Sequence, residues 1–168
     1  HAPYTSGTAH PNDGATIRTV LSPIFDAYHV ALAIAGHEHN YERSFPLNAG
    51  GIIVSPSINS YSDTMGTIHI VCGTGGQGLY TTFQNPQPAW SVYRGAWYGF
   101  TKISVNNTTL SLQGIRVDNT VADSFTWTKS ASDSLPPVCS IVSPIDQSDL
   151  TPGFLSITTQ VKHDSPVP

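Results

Sequence analysis

A helical pattern followed at once by a short apolar run restricts this sequence to few architectures. Apolar residues recur at helical spacing over residues 14–28, and either Asn12 or Asp13 suits the N-cap of a helix there. Residues 29–35 then form a short apolar run ending at Gly36, which is typical of a fully buried parallel strand. Together they predict half of an α/β unit. In such folds ligands gather just outside the carboxyl ends of the strands, which makes the loop after Gly36 a candidate site.

Downstream of this unit the pattern changes to β-structure. Runs with partial alternation and turn residues between them predict strands at 51–54, 67–72, 100–105, 109–117 and 124–128. The pair Asn106-Asn107 lies between two of these runs and indicates a hairpin, so the strands on either side should pair antiparallel.

The composition shifts after Lys129. Residues 130–137 are rich in Ser and Pro, as in a linker, and two more strand-like runs follow at 138–142 and 154–161. We therefore divide the chain into a domain at 1–129, a linker at 130–137 and a β-rich tail at 138–168. About 30 residues are too few to bury a core unaided. The tail is expected to be a truncated immunoglobulin-like module or a segment that packs on the first domain.

Composition excludes several function classes. Charged residues make up 11% of the 168 residues and the net charge is −4, so we expect neither a nucleic acid partner nor a cationic membrane-binding face. No apolar run is long enough to span a bilayer. The low charge and abundant Ser, Thr, Gly and Tyr favour a secreted, extracellular or periplasmic β-rich protein. Because the sequence begins at His1 without a Met, we expect an upstream portion to have been removed or omitted.

The two cysteines, Cys72 and Cys139, fit no CxxC metal or redox pattern. They are able to form one disulfide in an oxidising compartment. Two unpaired thiols in different elements are an equally good interpretation, because Cys72 lies in an apolar strand run.

The candidate chemistry lies in the loop after Gly36. His37 and His39 flank a single residue there, so both rings are able to turn toward one point, and imidazole is a good ligand for zinc, iron and manganese. An HxH pair by itself is a weak signal. Its context is Ala-Gly-His-Glu-His-Asn-Tyr-Glu-Arg over residues 35–43.

That segment resembles the GHxHxYER signature of purple acid phosphatases and related calcineurin-like metallophosphoesterases. The loop His-Ala-Pro-Tyr-Thr-Ser at residues 1–6 is similar to the family loop in which a metal-binding histidine precedes Pro and Tyr-x-Ser. Residues 66–76 resemble the family's strand and glycine-rich turn, and 98–100 and 123–125 its closing strands. The resemblance thus covers residues 1 to about 129. It implies the C-terminal half of a metallophosphoesterase β-sandwich flanked by helices.

The resemblance also implies roles for single residues. His1 and His37 would bind a divalent metal, and His39 the neighbouring metal, which is usually iron in this family. His10 falls where the family places a histidine that contacts the phosphate or protonates the leaving group. An exposed loop histidine is the alternative for His10.

Two charged residues of the signature receive a supporting role. Glu42 and Arg43 are expected to orient the metal loop as a buried pair rather than to touch substrate.

Histidines alone cannot complete such a centre. Two metal ions, iron plus zinc, manganese or a second iron, need carboxylate ligands as well, and the family's GDxG, GDxxY and GNH motifs that carry them do not occur here. We therefore expect this chain to be part of a secreted phosphoesterase that hydrolyses phosphate esters. It should be inactive without the missing N-terminal half of the same domain.

Two other functions remain open. The chain could be a structural subunit of an extracellular complex, reusing the fold without catalysis and self-assembling through its tail strands. A histidine that is a true N-terminus can also bind copper through its amine and its ring, which makes a copper oxidase a minor alternative.

Overall fold

The computed structural model describes residues 1–11, 13–62 and 66–129, together with the backbone of the strands 138–143 and 158–162. The chain divides into two compact units, His1–Lys129 and Ser130–Pro168. The expected linker at 130–137 lies outside the described residues. In the second unit the strands Val138–Ser143 and Thr158–Lys162 pair antiparallel, with a register irregularity between Thr158 and Thr159.

The described part of the first unit contains one helix and two four-stranded sheets. In chain order the elements are α1 Gly14–Ala27, β1 Leu32–Ala35, β2 Tyr41–Leu47, β3 Ser60–Ser62, β4 Thr67–Cys72, β5 Ser91–Gly95, β6 Gly99–Val105, β7 Thr109–Arg116 and β8 Val121–Thr128. The first sheet has the order β1-β4-β2-β5 and the second β3-β8-β7-β6. This mixture of sheets with one helix confirms the α/β prediction.

The helix begins where its sequence pattern begins. It includes Pro23, and its apolar face is only partly covered, with Val20 56% and Ile24 47% exposed. Asp13 occupies the N-cap position, but its side chain makes no capping hydrogen bond. The carboxylate is therefore available for contacts elsewhere.

Strand β1 is parallel, as predicted, but it is not fully buried. It pairs with β4 alone within the described chain, because it lies at the edge of the first sheet. Ile34 is 48% exposed as a result. The parallel pairing brings the carboxyl ends of β1 and β4 to the same edge, next to the loop that carries His37.

The strand β2 was not predicted, because its polar sequence looks like a loop. It lies between β4 and β5, antiparallel to both, and Glu42, Arg43 and Ser44 are all buried. The Arg43 guanidinium donates to both carboxylate oxygens of Asp123 in β8, from Nε at 2.6 Å and from Nη2 at 2.7 Å. This ion pair joins the two sheets.

The apolar core lies between the two sheets. Side chains from β2, β3, β4, β7 and β8 meet there with Trp97, which stacks on the ring of Tyr41 at 5.0 Å. The buried members are Tyr41, Tyr61, Ile68, Ile70, Trp97, Leu112 and Phe125.

The remaining strand predictions differ in outcome. The one for 67–72 coincides with β4, those for β6 and β7 are right to within one residue, and β8 begins three residues before its predicted start at 124. The strand predicted at 51–54 is wrong, since the segment contributes only an isolated bridge between Ile53 and Leu47. The short strands β3 and β5 were missed.

The hairpin prediction is confirmed. Strands β6 and β7 pair antiparallel, and the Asn106 side chain accepts hydrogen bonds from the backbone N–H groups of Thr108 and Thr109 at 3.0 and 2.8 Å. Of the two cysteines, Cys72 carries a free thiol, and its Sγ accepts a hydrogen bond from the Thr101 hydroxyl at 2.9 Å.

Candidate metal centre

Two of the predicted ligands, His1 and His37, lie together. The ring centroids are 4.1 Å apart. His37 follows the carboxyl end of β1, where ligands were expected, and the N-terminal loop brings His1 to it. A carboxylate joins them, because Asp13 Oδ2 lies 3.3 Å from His1 Nδ1 and 3.3 Å from His37 Nε2. One ligand atom from each of the three residues lies within 4.8 Å of the other two.

His10 borders this group. Its ring centroid lies 4.1 Å from that of His37, and its Nδ1 lies 3.5 Å from Asp13 Oδ2. His1, His10 and His37 thus surround a single oxygen atom, Oδ2 of Asp13. All four side chains are partly exposed to solvent.

The backbone at His37 adopts an unusual conformation. Its φ angle of +74° lies in the left-handed region, which is rare for a residue other than Gly. Such a conformation costs about 1–3 kcal/mol and is commonest at functional sites. Here it turns the chain sharply after Gly36.

His39 lies in the same loop but outside this group. Its ring stacks on Tyr80 with the centroids 4.2 Å apart, and its Nδ1 lies 2.9 Å from the carbonyl oxygen of Gly78. Since a carbonyl only accepts, Nδ1 carries a proton, and in the neutral imidazole Nε2 then bears the lone pair. This is the tautomer in which Nε2 is able to bind a metal. Tyr80 connects the two parts of the site, with its ring 5.6 Å from that of His10.

Glu42 and Arg43 are both buried, but they do not form a pair with each other. Successive residues of a strand point to opposite faces of the sheet, so Arg43 reaches Asp123 in the other sheet while Glu42 turns toward the N-terminal loop. The expectation of a buried Glu42–Arg43 pair is therefore wrong.

Glu42 anchors the loop that carries His1. Its carboxylate accepts hydrogen bonds from the backbone N–H of Ser6, from the Ser6 hydroxyl at 2.6 Å and from the Ser91 hydroxyl at 2.6 Å. Arg94 also donates to the Ser6 hydroxyl, at 2.9 Å. The network joins the loop to β2 and β5, five residues from His1.

Glu38, between the two histidines of the loop, is a second anchor. It is 1% exposed, and its Oε1 accepts a hydrogen bond from the backbone N–H of Ala9 at 3.2 Å. The Glu38 side chain fills the space where a Cβ on Gly7 would lie, so a larger residue at position 7 would displace this anchor.

The comparisons with known proteins agree with the resemblance. A family model described as iron/zinc purple acid phosphatase-like protein C matches residues 66–124. An Arabidopsis thaliana protein named probable inactive purple acid phosphatase 1 is 38% identical over 120 residues, covering 70% of this chain and 19% of its own. The solved structure of purple acid phosphatase PPD1 from yellow lupin (Lupinus luteus) superposes with a TM-score of 0.70 at 28% identity, over 77% of this chain and 24% of its own.

The chain belongs to the purple acid phosphatase family. Another relative, Fe(3+)-Zn(2+) purple acid phosphatase 12 of Arabidopsis thaliana, is 36% identical over 113 residues, or 65% of this chain. That alignment covers 24% of the relative, so the chain spans about a quarter or less of these three proteins. The family model matches residues 66–124, from β4 into β8, a segment that contains Tyr80 but none of the candidate metal ligands.

The donor set suits the metals of this family. Imidazole nitrogens combined with a carboxylate oxygen bind zinc, iron and manganese, and His1, Asp13 and His37 present both donor types within a few ångströms.

Sequence reasoning missed Asp13, Glu38 and Tyr80 as residues of the site. Asp13 had a sequence signal, because it is an acidic residue at the end of a loop, directly before a helix. That position is also typical of a helix N-cap, and Asp13 was interpreted as one. The sequence signal for Glu38 was its position between the two histidines of the HxH motif. Tyr80 had no local signal, because only the tertiary fold stacks it on His39.

No helix in the described part of the chain is long and apolar enough to cross a bilayer.

Proposed function

We propose that this chain is the C-terminal half of the catalytic domain of a secreted metallophosphoesterase that hydrolyses phosphate esters at two metal ions. The observation that carries the proposal is the placement of His1 and His37 in ring contact at the carboxyl end of β1, with His39 two residues further along the same loop.

The three histidines have distinct roles in this proposal. His1 and His37 bind one divalent metal through Nδ1 and Nε2, the atoms that face Asp13. His39 binds the second metal through Nε2, and its tautomer suits that role. When bound, two metals clamp the phosphate, supply a hydroxide nucleophile and offset charge on the leaving oxygen.

His10 contributes at the rim of the same site. It lies against His37 and near Tyr80, where it would be next to a phosphate ester held by metals at the histidine ligands. A histidine there is able to protonate the leaving oxygen or to hydrogen-bond the phosphate.

The remaining carboxylates come from the N-terminal half of the domain, which we propose packs on an apolar surface of this chain. A shallow depression between β1 and β6 is lined by Ile34, Phe100 and Ile103, which are 48%, 54% and 39% exposed. The chain covers 24% of the lupin phosphatase, so a longer parent has ample sequence to cover this surface. This chain alone is then inactive.

The first experiment measures hydrolysis of para-nitrophenyl phosphate by the parent protein and its His37→Ala variant. We expect the variant to lose activity, because a metal ligand is removed. His29→Ala is the matched control, since His29 is also a histidine with positive φ, at +51°, but lies outside the site. Alanine costs similar backbone strain at both positions. Full turnover by His37→Ala would refute the ligand assignment.

A structural role without catalysis is the second candidate, and one observation favours it. The relative that is 38% identical is named a probable inactive purple acid phosphatase. A parent protein that binds two metals but turns over no phosphate ester would support this candidate, and measured turnover that depends on His37 would exclude it. The copper oxidase alternative remains an untested prediction.

A further inference from the structure

Asp13 occupies the N-cap position of α1 but does not cap the helix. An Asp at this position normally accepts a hydrogen bond from the backbone N–H of the second or third helical residue. Here no such hydrogen bond forms, and the backbone of Asp13 is itself helical, with φ −64° and ψ −28°. Its carboxylate instead turns toward His1 and His37.

The distances around Asp13 Oδ2 are long for direct hydrogen bonds. A hydrogen bond between a protonated imidazole and a carboxylate has its heavy atoms about 2.7–2.9 Å apart. The separations here are 3.3 Å to His1 Nδ1 and 3.3 Å to His37 Nε2.

The same distances suit ligands that share a metal ion. Ligands about 2.1 Å from a tetrahedral metal lie about 3.4 Å from one another, since the edge of a tetrahedron is about 1.6 times the distance from its centre to a corner. Both separations from Asp13 Oδ2 lie close to that value, and the three ligand atoms are grouped within 4.8 Å.

We propose that Asp13 is a carboxylate ligand of one metal ion, held together with His1 and His37. The inference deepens the proposed function, on which the metal-binding role of the two histidines rests. A catalytic zinc site typically has three protein ligands and a fourth position for water or phosphate. This chain then supplies three ligands of one metal, one carboxylate among them, and the N-terminal half of the domain supplies the remaining carboxylates of the centre.

His10 is not a ligand in this proposal. Its Nδ1 lies 3.5 Å from the same oxygen but outside the group of three ligand atoms. It would lie next to the metal, because its ring is against that of His37.

The test is a Co²⁺ titration of the 168-residue chain, followed by visible absorption. We expect one Co²⁺ per chain in the unmodified protein. Asp13→Asn should weaken binding by more than about 100-fold, because removing even an outer partner of a metal ligand costs about 10–100-fold. It should also shift the absorption bands, since an oxygen ligand is lost. Asp26→Asn, at the other end of α1, is the matched control and should bind as the unmodified chain does.

Several outcomes would overturn the proposal. One is Asp13→Asn binding within threefold of the unmodified chain. Another is weaker binding with unchanged band positions, which would make Asp13 a positioning residue for the histidines. A folded chain that binds no Co²⁺ would also overturn it.

A second measurement covers a chain that does not fold alone. The parent protein and its Asp13→Asn variant are compared for bound metal and for the Co²⁺ spectrum. Equal metal content and identical spectra would refute the role of Asp13. The proposed function would survive that result, provided that His37→Ala still abolishes hydrolysis.

Discussion

Replacing Asp123 by Asn should strongly destabilise the protein without disturbing its surface. The Asp123 carboxylate accepts two hydrogen bonds from Arg43 and one from the Tyr41 hydroxyl at 2.9 Å. The Arg43 side chain is 1% exposed and that of Asp123 6% exposed. Burial lowers the pKa of Arg43, but the hydrogen bonds and charge of Asp123 outweigh it, so the pKa is raised overall.

The magnitude follows from the contacts that are lost. The amide retains one acceptor oxygen, so one of the two charged hydrogen bonds disappears, at about 1.5–3 kcal/mol. The guanidinium stays charged and buried without a counterion, and breaking a buried ion pair from one side costs about 3–5 kcal/mol in total. Arg43 still donates to the carbonyl of Ile58 and the hydroxyl of Tyr61, both at 2.8 Å. We therefore expect a loss of about 3 kcal/mol, the lower end of that range.

Urea unfolding measures this loss, and a double-mutant cycle identifies its source. Arg43→Met alone should also destabilise the protein, because it leaves the buried Asp123 carboxylate without its cationic partner. The double variant should lose less than the sum of the two single variants, by about 1–3 kcal/mol, since neither charge is then left unpaired. Asp118→Asn, an exposed turn residue, serves as the control and should have a far smaller effect.

Additive single effects would refute the reasoning. So would an Asp123→Asn variant as stable as the unmodified protein. Either result would mean that the ion pair does not hold the two sheets together.

Two further predictions concern the interior. Burial, together with the charge of Arg18, lowers the pKa of His69 to about 4, against 6.5 for an exposed histidine. The unfolded chain therefore takes up this proton below pH 6.5 while the native protein does not, so stability should fall by about 2 kcal/mol between pH 7 and pH 5. His69→Gln should remove this part of the pH dependence in urea unfolding; an unchanged slope would contradict it. Glu42→Gln should weaken metal binding by about 10–100-fold, because the loop carrying His1 loses its anchor. Calorimetric titration with Zn²⁺ tests this, with Gln87→Ala, which removes a different contact to Ser91, as the control.

The predictable elements are those with a local strand or turn signal in their own sequence. β4 is an apolar run bounded by turn residues, and its predicted and observed ends coincide. The β6–β7 hairpin has a local signal in Asn106, whose side chain forms the turn. β2 has no such signal, because its buried Glu42 and Arg43 are tolerated only where distant partners form hydrogen bonds with them.

The candidate site divides in the same way. His37 and His39 are recognisable because their motif is contiguous and follows a strand. Asp13 is a good helix cap by every local rule, and its sequence position does not reveal that its carboxylate turns away from the helix. Which atoms it faces depends on where the N-terminal loop and the end of β1 meet.

By itself the sequence determined the type of the main elements, the loop that carries the histidines and the family to which the chain belongs. These follow from periodicity and contiguous motifs, which involve neighbours along the chain. The tertiary structure alone decided that Arg43 pairs with Asp123 rather than with Glu42, that His39 stacks on Tyr80, and that a carboxylate stands between His1 and His37. Contacts of this kind join residues far apart in sequence, and they depend on distances and side-chain directions that appear only once the sheets have packed.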